Sequence, residues 1–443
     1  MKKMVHGNEQ VRSLIPGTTG RTVPATLPLQ PATAGKHRRS FTTAAMAIVF
    51  ALTIVLLQSA QAQTYTVLHN FTGGVDGQNP SAGVVIDRAG NLYGTTYYGG
   101  TSPDSGAAFK LARKGNSFVF TPLHSFNGVT DGSNPYAVTI GPDGALYGTT
   151  EIGADGYQPG TVYSLRLPAT ACKSALCPWN VSLVYQFPDG GQNGGHPDSP
   201  PIFDQTGNMF GATPGDIGYG NVYELQPSGG GWIQSVLYAF TGGSDGSVPH
   251  DGVIRDQAGN LYGVTYRGGA NNGGVVYQLV PTGNGWTEKV LHSFNNASEG
   301  TLPVGGLVFD KSGNLYGTTT EGGSLSGGSV FMLSPSGSGW TSTVLYSFPG
   351  YVGPSASLSV DTAGNLYGTT SEGGANEFGS IFKLSPGSGG WTYTSLKDFS
   401  SNCSDGCIPL STVTIDSGGN LYGTTAKGGS NGNYGVVWEI LKP

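Results

Sequence analysis

From residue 64 onward, apolar and polar positions alternate in short runs, and no stretch of this region carries a helical period. Gly83-Val84-Val85-Ile86-Asp87, Asn91 to Thr96, Ala108-Phe109-Lys110-Leu111 and Trp286 to Phe294 each represent one kind of run. They are rich in β-branched and aromatic residues and bounded by Gly-rich breaks, the pattern of strands. The four kinds recur in fixed order, so they are labelled strands A to D. Strand B carries the clearest signature, Gly-Asn-Leu-Tyr-Gly-Thr-Thr. Its apolar slot holds Leu92, Leu146, Met209, Leu261, Leu315, Leu366 and Leu421, at spacings of 54, 63, 52, 54, 51 and 55 residues.

Seven four-strand units of this length predict an all-β fold, a seven-bladed β-propeller. The last unit supplies strands A to C only, ending with Gly435 to Leu441. The missing D strand is expected from the other end of the chain, Thr64 to Phe71. The D-strand Phe slot then reads Phe71, Phe126, Phe187, Phe240, Phe294, Phe348 and Phe399. The N-terminal strand is therefore expected to be the outer strand of the last blade and to close the ring, which removes open sheet edges.

Residues 1–62 read differently. Lys36, His37, Arg38 and Arg39 precede an apolar run from Ala44 to Leu57, and Ala60-Gln61-Ala62 gives a small-x-small cleavage site. This is the pattern of a secretory signal peptide. Arg38-Arg39-Ser40-Phe41 partly matches a twin-arginine signal, but the strongly apolar run favours the ordinary secretory route. The run is shorter than the ~20 residues of a membrane span. Residues 63–443 are expected to form one propeller domain with no membrane span, located outside the cell or in the periplasm as a monomer. The chain has 75 Gly and 27 Pro, only 11% charged residues and a net charge of −6. Such composition argues against a helical protein and against a basic nucleic-acid binder.

A residue type that fills one slot in nearly every unit is read as scaffold. The A–B connection reads Asp-x-x-Gly-Asn, with Asp87, Asp204, Asp256, Asp310, Asp361 and Asp416 first and Gly141 in the second unit. A tight hairpin needs positive φ from the Gly and an acceptor from the Asp. One carboxylate per turn is too few for calcium, which takes six to eight oxygens. Trp179, Trp232, Trp286, Trp340 and Trp391 share one slot and are expected to bury flat area between blades. His69, His124 and His292 share a D-strand slot with Tyr185, Tyr238, Tyr346 and Lys397, which calls for an amphipathic side chain rather than a metal ligand. Cys172 and Cys177, and Cys403 and Cys407, lie in connections at opposite ends of the blades. They are expected to form two local disulfides, not one zinc site.

Up-and-down topology places the B–C and D–A connections on one face, and these are the long loops. Residues that vary there are the ligand-binding candidates: Tyr98, Glu151, Arg267, Glu321, Glu372 and Lys427 in the B–C loops, and Tyr136, His250 and Asp251 after the D–A Pro. Catalysis has less support. Glu151, Glu321 and Glu372 could pair as acid and base. His250 and Asp251 are neighbours on a strand, so their side chains are expected on opposite faces. No nucleophile elbow, His-Glu-x-x-His or phosphate loop is present. No catalytic residue, metal or cofactor is expected.

The repeat Gly-Asn-Leu-Tyr-Gly-Thr-Thr-x-x-Gly-Gly, followed by Gly-Val-Val-Tyr-x-Leu, resembles the GloVer tandem repeat of exported bacterial proteins, often called choice-of-anchor proteins. The resemblance spans nearly all of residues 64–443. It implies an extracellular or cell-surface propeller, although no sorting anchor follows Pro443. The expectation is a secreted binding or interaction module for carbohydrate or a cell-surface protein. A polysaccharide lyase or hydrolase, and a purely structural surface protein, are the alternatives.

Overall fold

The Asp-x-x-Gly-Asn turns form as their chemistry requires. In a computed structural model of the chain, Asp87 Oδ1 accepts the backbone N–H of Ala89 and of Asn91 at 2.8 and 2.9 Å. Its Oδ2 accepts from the Asn91 amide and the Tyr93 hydroxyl at 2.7 and 3.0 Å, so both oxygens serve the turn. Gly90 sits at φ +80°, where a Cβ would be strained. Unit 2, which has Gly141 in the first slot, uses Asp143 instead. That carboxylate accepts from Ala145 N and the Tyr147 hydroxyl at 3.1 and 3.0 Å.

The structure describes residues 64–442 apart from 103, 155–158, 169–177, 189–193, 216–217, 296–297, 338, 351 and 355. The expected signal segment and the Cys172–Cys177 pair lie outside the described residues. Within them, strands form seven antiparallel sheets of four, and no helix occurs. In blade 1 the strands are A (Val85–Ile86), B (Leu92–Thr96), C (Ala107–Lys114) and D (Ser117–Ser125). No helix among the described residues is long and apolar enough to cross a membrane.

The sheet of blade 7 is completed by Tyr65–Asn70, paired antiparallel with Val436–Ile440. The pairing slips by one residue between Val67 and His69. The C–D ladder of blade 1 has the same slip between Ala108 and Phe109, opposite His124 and Pro122. The N-terminal strand therefore reproduces the D-strand bulge found in the other blades.

Blades pack through the repeated aromatic residues. Each D-strand Phe is buried, and in six of the seven blades its ring meets the C-strand aromatic of the next blade, Phe399 instead meeting the Tyr65 ring at 5.9 Å. Phe126 lies 4.8 Å from Tyr163, Phe294 lies 5.0 Å from Phe331, and Phe71 lies 5.3 Å from Phe109 across the junction of blades 7 and 1. The Trp side chains sit against the B-strand aromatic of the preceding blade, as in Trp340–Tyr262 at 6.3 Å and Trp391–Tyr316 at 6.1 Å. They are scaffold.

The repeated Thr after Leu-Tyr-Gly stitches blades through polar contacts. Thr95 Oγ1 donates to Tyr136 O at 2.6 Å, Thr149 to Ser199 O at 3.1 Å, Thr369 to Ser411 O at 3.0 Å and Thr424 to Ala82 O at 2.8 Å. Blades 3 and 4 replace this Thr with Ala212 and Val264.

Candidate functional site

Aligning the units on the D–A Pro brings one ring of side chains into register. The residue after the Pro is Ser81, Tyr136, Asp198, His250, Val304, Ser355 and Leu410 in blades 1 to 7. Six of these seven line one cavity of about 330 Å³, with Ala82, Ala137, Asp251 and Ala356 from the next position. Residues from all seven blades contribute, so the cavity is the mouth of the central channel. Its titratable side chains come from three consecutive blades, Tyr136, Asp198, and the pair His250 and Asp251, while Ser81 and Thr412 add hydroxyls from blades 1 and 7.

Backbone geometry explains how blade 4 reaches the cavity. Its A strand, Ser247–Arg255, is long, whereas the A strand of most blades spans two residues. Its ladder with strand B is interrupted between His250 and Ile254. Asp251 and Gly252 sit at φ +54° and +72° within that bulge. The bulge breaks the simple alternation of a strand, and both His250 and Asp251 line the cavity. The expectation that they point to opposite faces is corrected on this point.

His250 nonetheless pairs with another carboxylate. Its Nδ1 lies 2.5 Å from Asp198 Oδ2. Burial opposes a charge on this ring, but the hydrogen bond and charge of Asp198, with Asp251 adding, raise its pKa. Asp251 Oδ2 accepts the Gly306 N–H at 2.7 Å and the Ser357 hydroxyl. Burial, reinforced by Asp198, pushes the Asp251 carboxyl up to about 6 against the hydrogen bonds and His250, which hold it down.

On the blade 2 side, Tyr97 and Tyr136 both donate to Glu151 Oε2, Tyr136 at 3.4 Å. Tyr97 stands edge-on to Tyr98 at 4.6 Å and to Tyr136 at 5.8 Å. Burial first, then Glu151 and Asp198, hold the Tyr136 phenol far above its usual range. It stays a neutral donor with an aromatic face.

The other candidates do not line the cavity. Arg267, Glu321, Glu372 and Lys427 are exposed, as is Tyr98. The backbones of Tyr98, Glu321 and Lys427 pair with Gln78, Thr301 and Cys407, joining each B–C loop to its D–A loop. The Arg267 backbone pairs with Ser247, and its guanidinium lies 5.2 Å from the Tyr266 ring. Cys403 and Cys407 are joined in a disulfide within the D–A loop of blade 7.

Asp198 was not among the residues singled out from sequence, although the slot after the Pro contained it. The D-strand His residues have partners that sequence also carried. His69 meets Asp76 at 3.1 Å, His124 meets Asp131 at 2.6 Å and His292 meets Glu299 at 3.0 Å, each seven residues on. Tyr238 does the same with Asp245 at 3.0 Å. These pairs hold D–A loops onto their blades and lie outside the channel cavity.

Solved structures similar to this chain are propellers of low identity. A candidate oxidoreductase (glucose dehydrogenase) from Thermus thermophilus is 17% identical, covering 71% of this chain and 97% of its own, with a TM-score of 0.42. The extracellular domain of a hybrid two-component system from B. thetaiotaomicron is 13% identical with a TM-score of 0.51, covering 85% of this chain and 42% of its own. A candidate 6-phosphogluconolactonase from Bacteroides fragilis is 14% identical, covering 80% and 98%, with a TM-score of 0.49. Of the three, the likeness to the two-component-system domain, at a TM-score of 0.51, speaks to the fold alone. No curated protein matches the chain in sequence. Residues 47–179 and 175–356 match the family described as the Gloeobacter/Verrucomicrobia repeat. Those segments hold the recurring Leu-Tyr-Gly-Thr-Thr units on which the blades are built, and the chain belongs to the Gloeobacter/Verrucomicrobia repeat family.

Proposed function

We propose that this protein is an exported binding module that recognises a carbohydrate at the channel mouth, on the side formed by blades 2 to 4. One observation carries the reading: the ring slot after the D–A Pro is Tyr136, Asp198 and His250 in consecutive blades, and all three line one cavity. A neutral phenol, a carboxylate and an imidazole supply aromatic area, acceptors and donors. These are the groups that fix a polyhydroxylated ligand in a small concave site. A cavity of about 330 Å³ holds the end of a glycan chain rather than its length. The Cys403–Cys407 disulfide and the signal-like segment at 36–62 support export.

A glycan array probed with residues 63–443 tests the reading. Binding should be lost in Asp198→Asn and Tyr136→Ala and kept in Arg267→Ala and Glu321→Ala, whose side chains lie off the cavity. Binding to no glycan, or equal loss in all four variants, would refute it. A second reading, cleavage of polysaccharide, is favoured by one observation: Asp198 and Asp251 share the cavity, and the Asp251 carboxyl is raised to about 6. Release of reducing ends or unsaturated products from an array-positive glycan would establish that reading.

A further inference from the structure

Six of the seven D strands follow their own C strand in the chain. The D strand of blade 7, Tyr65–Asn70, lies at the opposite end of the sequence from its partner Val436–Ile440 and is joined to it by non-covalent contacts alone. A terminal strand frays unless it is tied down, so this seam is where the ring opens most readily. The contacts that tie it down converge on one loop, the D–A connection that enters blade 7. Among the seven D–A connections of the sequence it alone contains cysteine. Cys403 and Cys407 are joined within it.

That loop reaches both ends of the strand. At the first end, the Tyr65 hydroxyl donates to Asp405 O at 2.6 Å, and Asp405 lies between the two cysteines. Lys397 of blade 6 pairs with the Asp405 carboxylate and stands 4.9 Å from the centre of the Tyr65 ring. At the second end, Asn70 Oδ1 accepts the Ser430 N–H at 2.8 Å, and Asn70 O accepts from the Asn431 amide at 3.1 Å. Ser430 and Asn431 belong to the B–C loop of blade 7, which docks in turn on the disulfide loop. There the Gly429 N–H donates to Cys403 O at 2.8 Å, and Cys407 and Lys427 exchange backbone hydrogen bonds at 2.9 and 3.2 Å. The grip on the strand is therefore direct at Tyr65 and passes through one neighbouring loop at Asn70.

We infer that the Cys403–Cys407 disulfide is a redox latch on ring closure: oxidised, it fixes the loop that grips both ends of the N-terminal strand, and reduced by a thiol, it lets that strand leave the edge of blade 7. The bond closes a loop of sequence separation 4, which constrains the unfolded chain only modestly, so its action is local. Cys403 is partly exposed whereas Cys407 is buried, so an external thiolate attacks the Cys403 sulfur. Cys407 leaves as a thiolate and takes up a proton. A second external thiol resolves the mixed disulfide, freeing the Cys403 thiol and forming the external disulfide. Two electrons and two protons thus pass from two external thiols to the protein. The strand edge uncovered on Val436–Ile440 is of the kind that pairs with another chain, and an oxidising location keeps it covered.

The experiment uses residues 63–443, the compact unit that holds every described strand. Amide hydrogen exchange is followed by mass spectrometry on the oxidised protein and after dithiothreitol, with thiol titration showing that reduction is complete. On reduction, Tyr65–Asn70 should exchange about tenfold faster or more, while Met209–Thr213 and Asn221–Ser228 of blade 3 change less than about twofold. Cys172→Ser/Cys177→Ser should respond as wild type does. Cys403→Ser/Cys407→Ser should exchange fast at the first strand from the outset and be indifferent to dithiothreitol; if it does not fold, reduction of folded wild type still decides. Tyr65→Phe keeps the ring but drops the bond to Asp405, so it should raise exchange in the oxidised protein and shrink the response to reduction. Equal exchange of Tyr65–Asn70 before and after complete reduction overturns the latch. A rise spread evenly over all seven blades also overturns it and makes the disulfide a general staple. Loss of the response in Cys172→Ser/Cys177→Ser overturns it in favour of the other cysteine pair.

Discussion

Truncating Phe71 to Ala tests whether the N-terminal strand is a working part of the ring. Phe71 is buried and stands 5.3 Å from Phe109 of blade 1 and 6.1 Å from Phe120. Phe126 is its counterpart inside the chain, equally buried and 4.8 Å from Tyr163. Removing a phenyl ring from such a site costs about 3–5 kcal/mol, the transfer loss plus the cavity left behind. Unfolding entropy of ~2.1 cal/mol/K per residue gives roughly 0.8 kcal/mol/K for a propeller of this size. Each variant should therefore melt about 4–6 °C lower in differential scanning calorimetry. The two shifts should agree, because the junction of blades 7 and 1 uses the same contacts as that of blades 1 and 2. If Phe126→Ala lowers melting by that amount and Phe71→Ala by less than about 1 °C, the first strand frays in solution and the reasoning fails.

Three further outcomes follow from the titrating groups. In Asp198→Asn, His250 loses the main partner that raises it while its burial remains, so its imidazole should titrate lower than in wild type by NMR, Asp251 still holding it partly up. An unchanged titration would show that Asp198 does not set it. The Asp251 carboxyl has a folded pKa near 6, above the unfolded value of about 3.9. Its ionisation therefore erodes stability as pH rises from about 4 to 6, by about 2–3 kcal/mol in all. Asp251→Asn, which still accepts from Gly306 and Ser357, should flatten that part of the stability profile, and an unaltered slope in urea titrations would contradict this. The turn carboxylates Asp87, Asp310, Asp361 and Asp416 work in the opposite sense. Burial tends to raise them, but the Asn and Tyr hydrogen bonds win and their pKa values are lowered. Their stabilisation is complete above the unfolded value near 3.9 and is lost as pH falls through the lowered folded values. Replacing all four with Asn should weaken the acid-induced loss below about pH 4, seen by circular dichroism.

The fold was legible because repetition separates scaffold from the rest. Every blade needs a turn acceptor, a D-strand Phe and a flat residue between sheets, so those types recur at fixed spacing. The site was less legible for three physical reasons. Asp198 lies in the unit with the 63-residue spacing, where insertion obscures the Gly-rich frame. His250 and Asp251 share a cavity through a bulge with two consecutive positive φ values, one of them at a non-glycine residue whose type does not announce it. The variable B–C loop residues look like a binding surface in sequence, yet several direct their backbones to loop stitching and leave their side chains in solvent. The His and carboxylate pairs seven residues apart were visible, but their meaning depends on the loop folding back onto its strand.

Departures from the repeat carry the functional argument. In a ring of seven similar wedges, packing makes nearly the same demand on every blade, so a residue type confined to adjacent blades answers another demand. Tyr163, Tyr223 and Tyr277 replace Phe or Trp in blades 2, 3 and 4 only. The stitching Thr is lost in blades 3 and 4, and the long A strands occur in blades 2 and 4. Tyr136, Asp198 and His250 occupy the ring slot in the same three blades, where blades 5 and 7 present Val304 and Leu410. Passage of an ion along the axis would favour like groups around the whole circumference. A sector rich in titratable groups facing Val304 and Leu410 fits the proposed ligand held on one side of the mouth, its hydroxyls toward blades 2 to 4. Sugars have such two-sided surfaces, and under the proposed carbohydrate reading this asymmetry is what would distinguish the mouth from a symmetric structural pore.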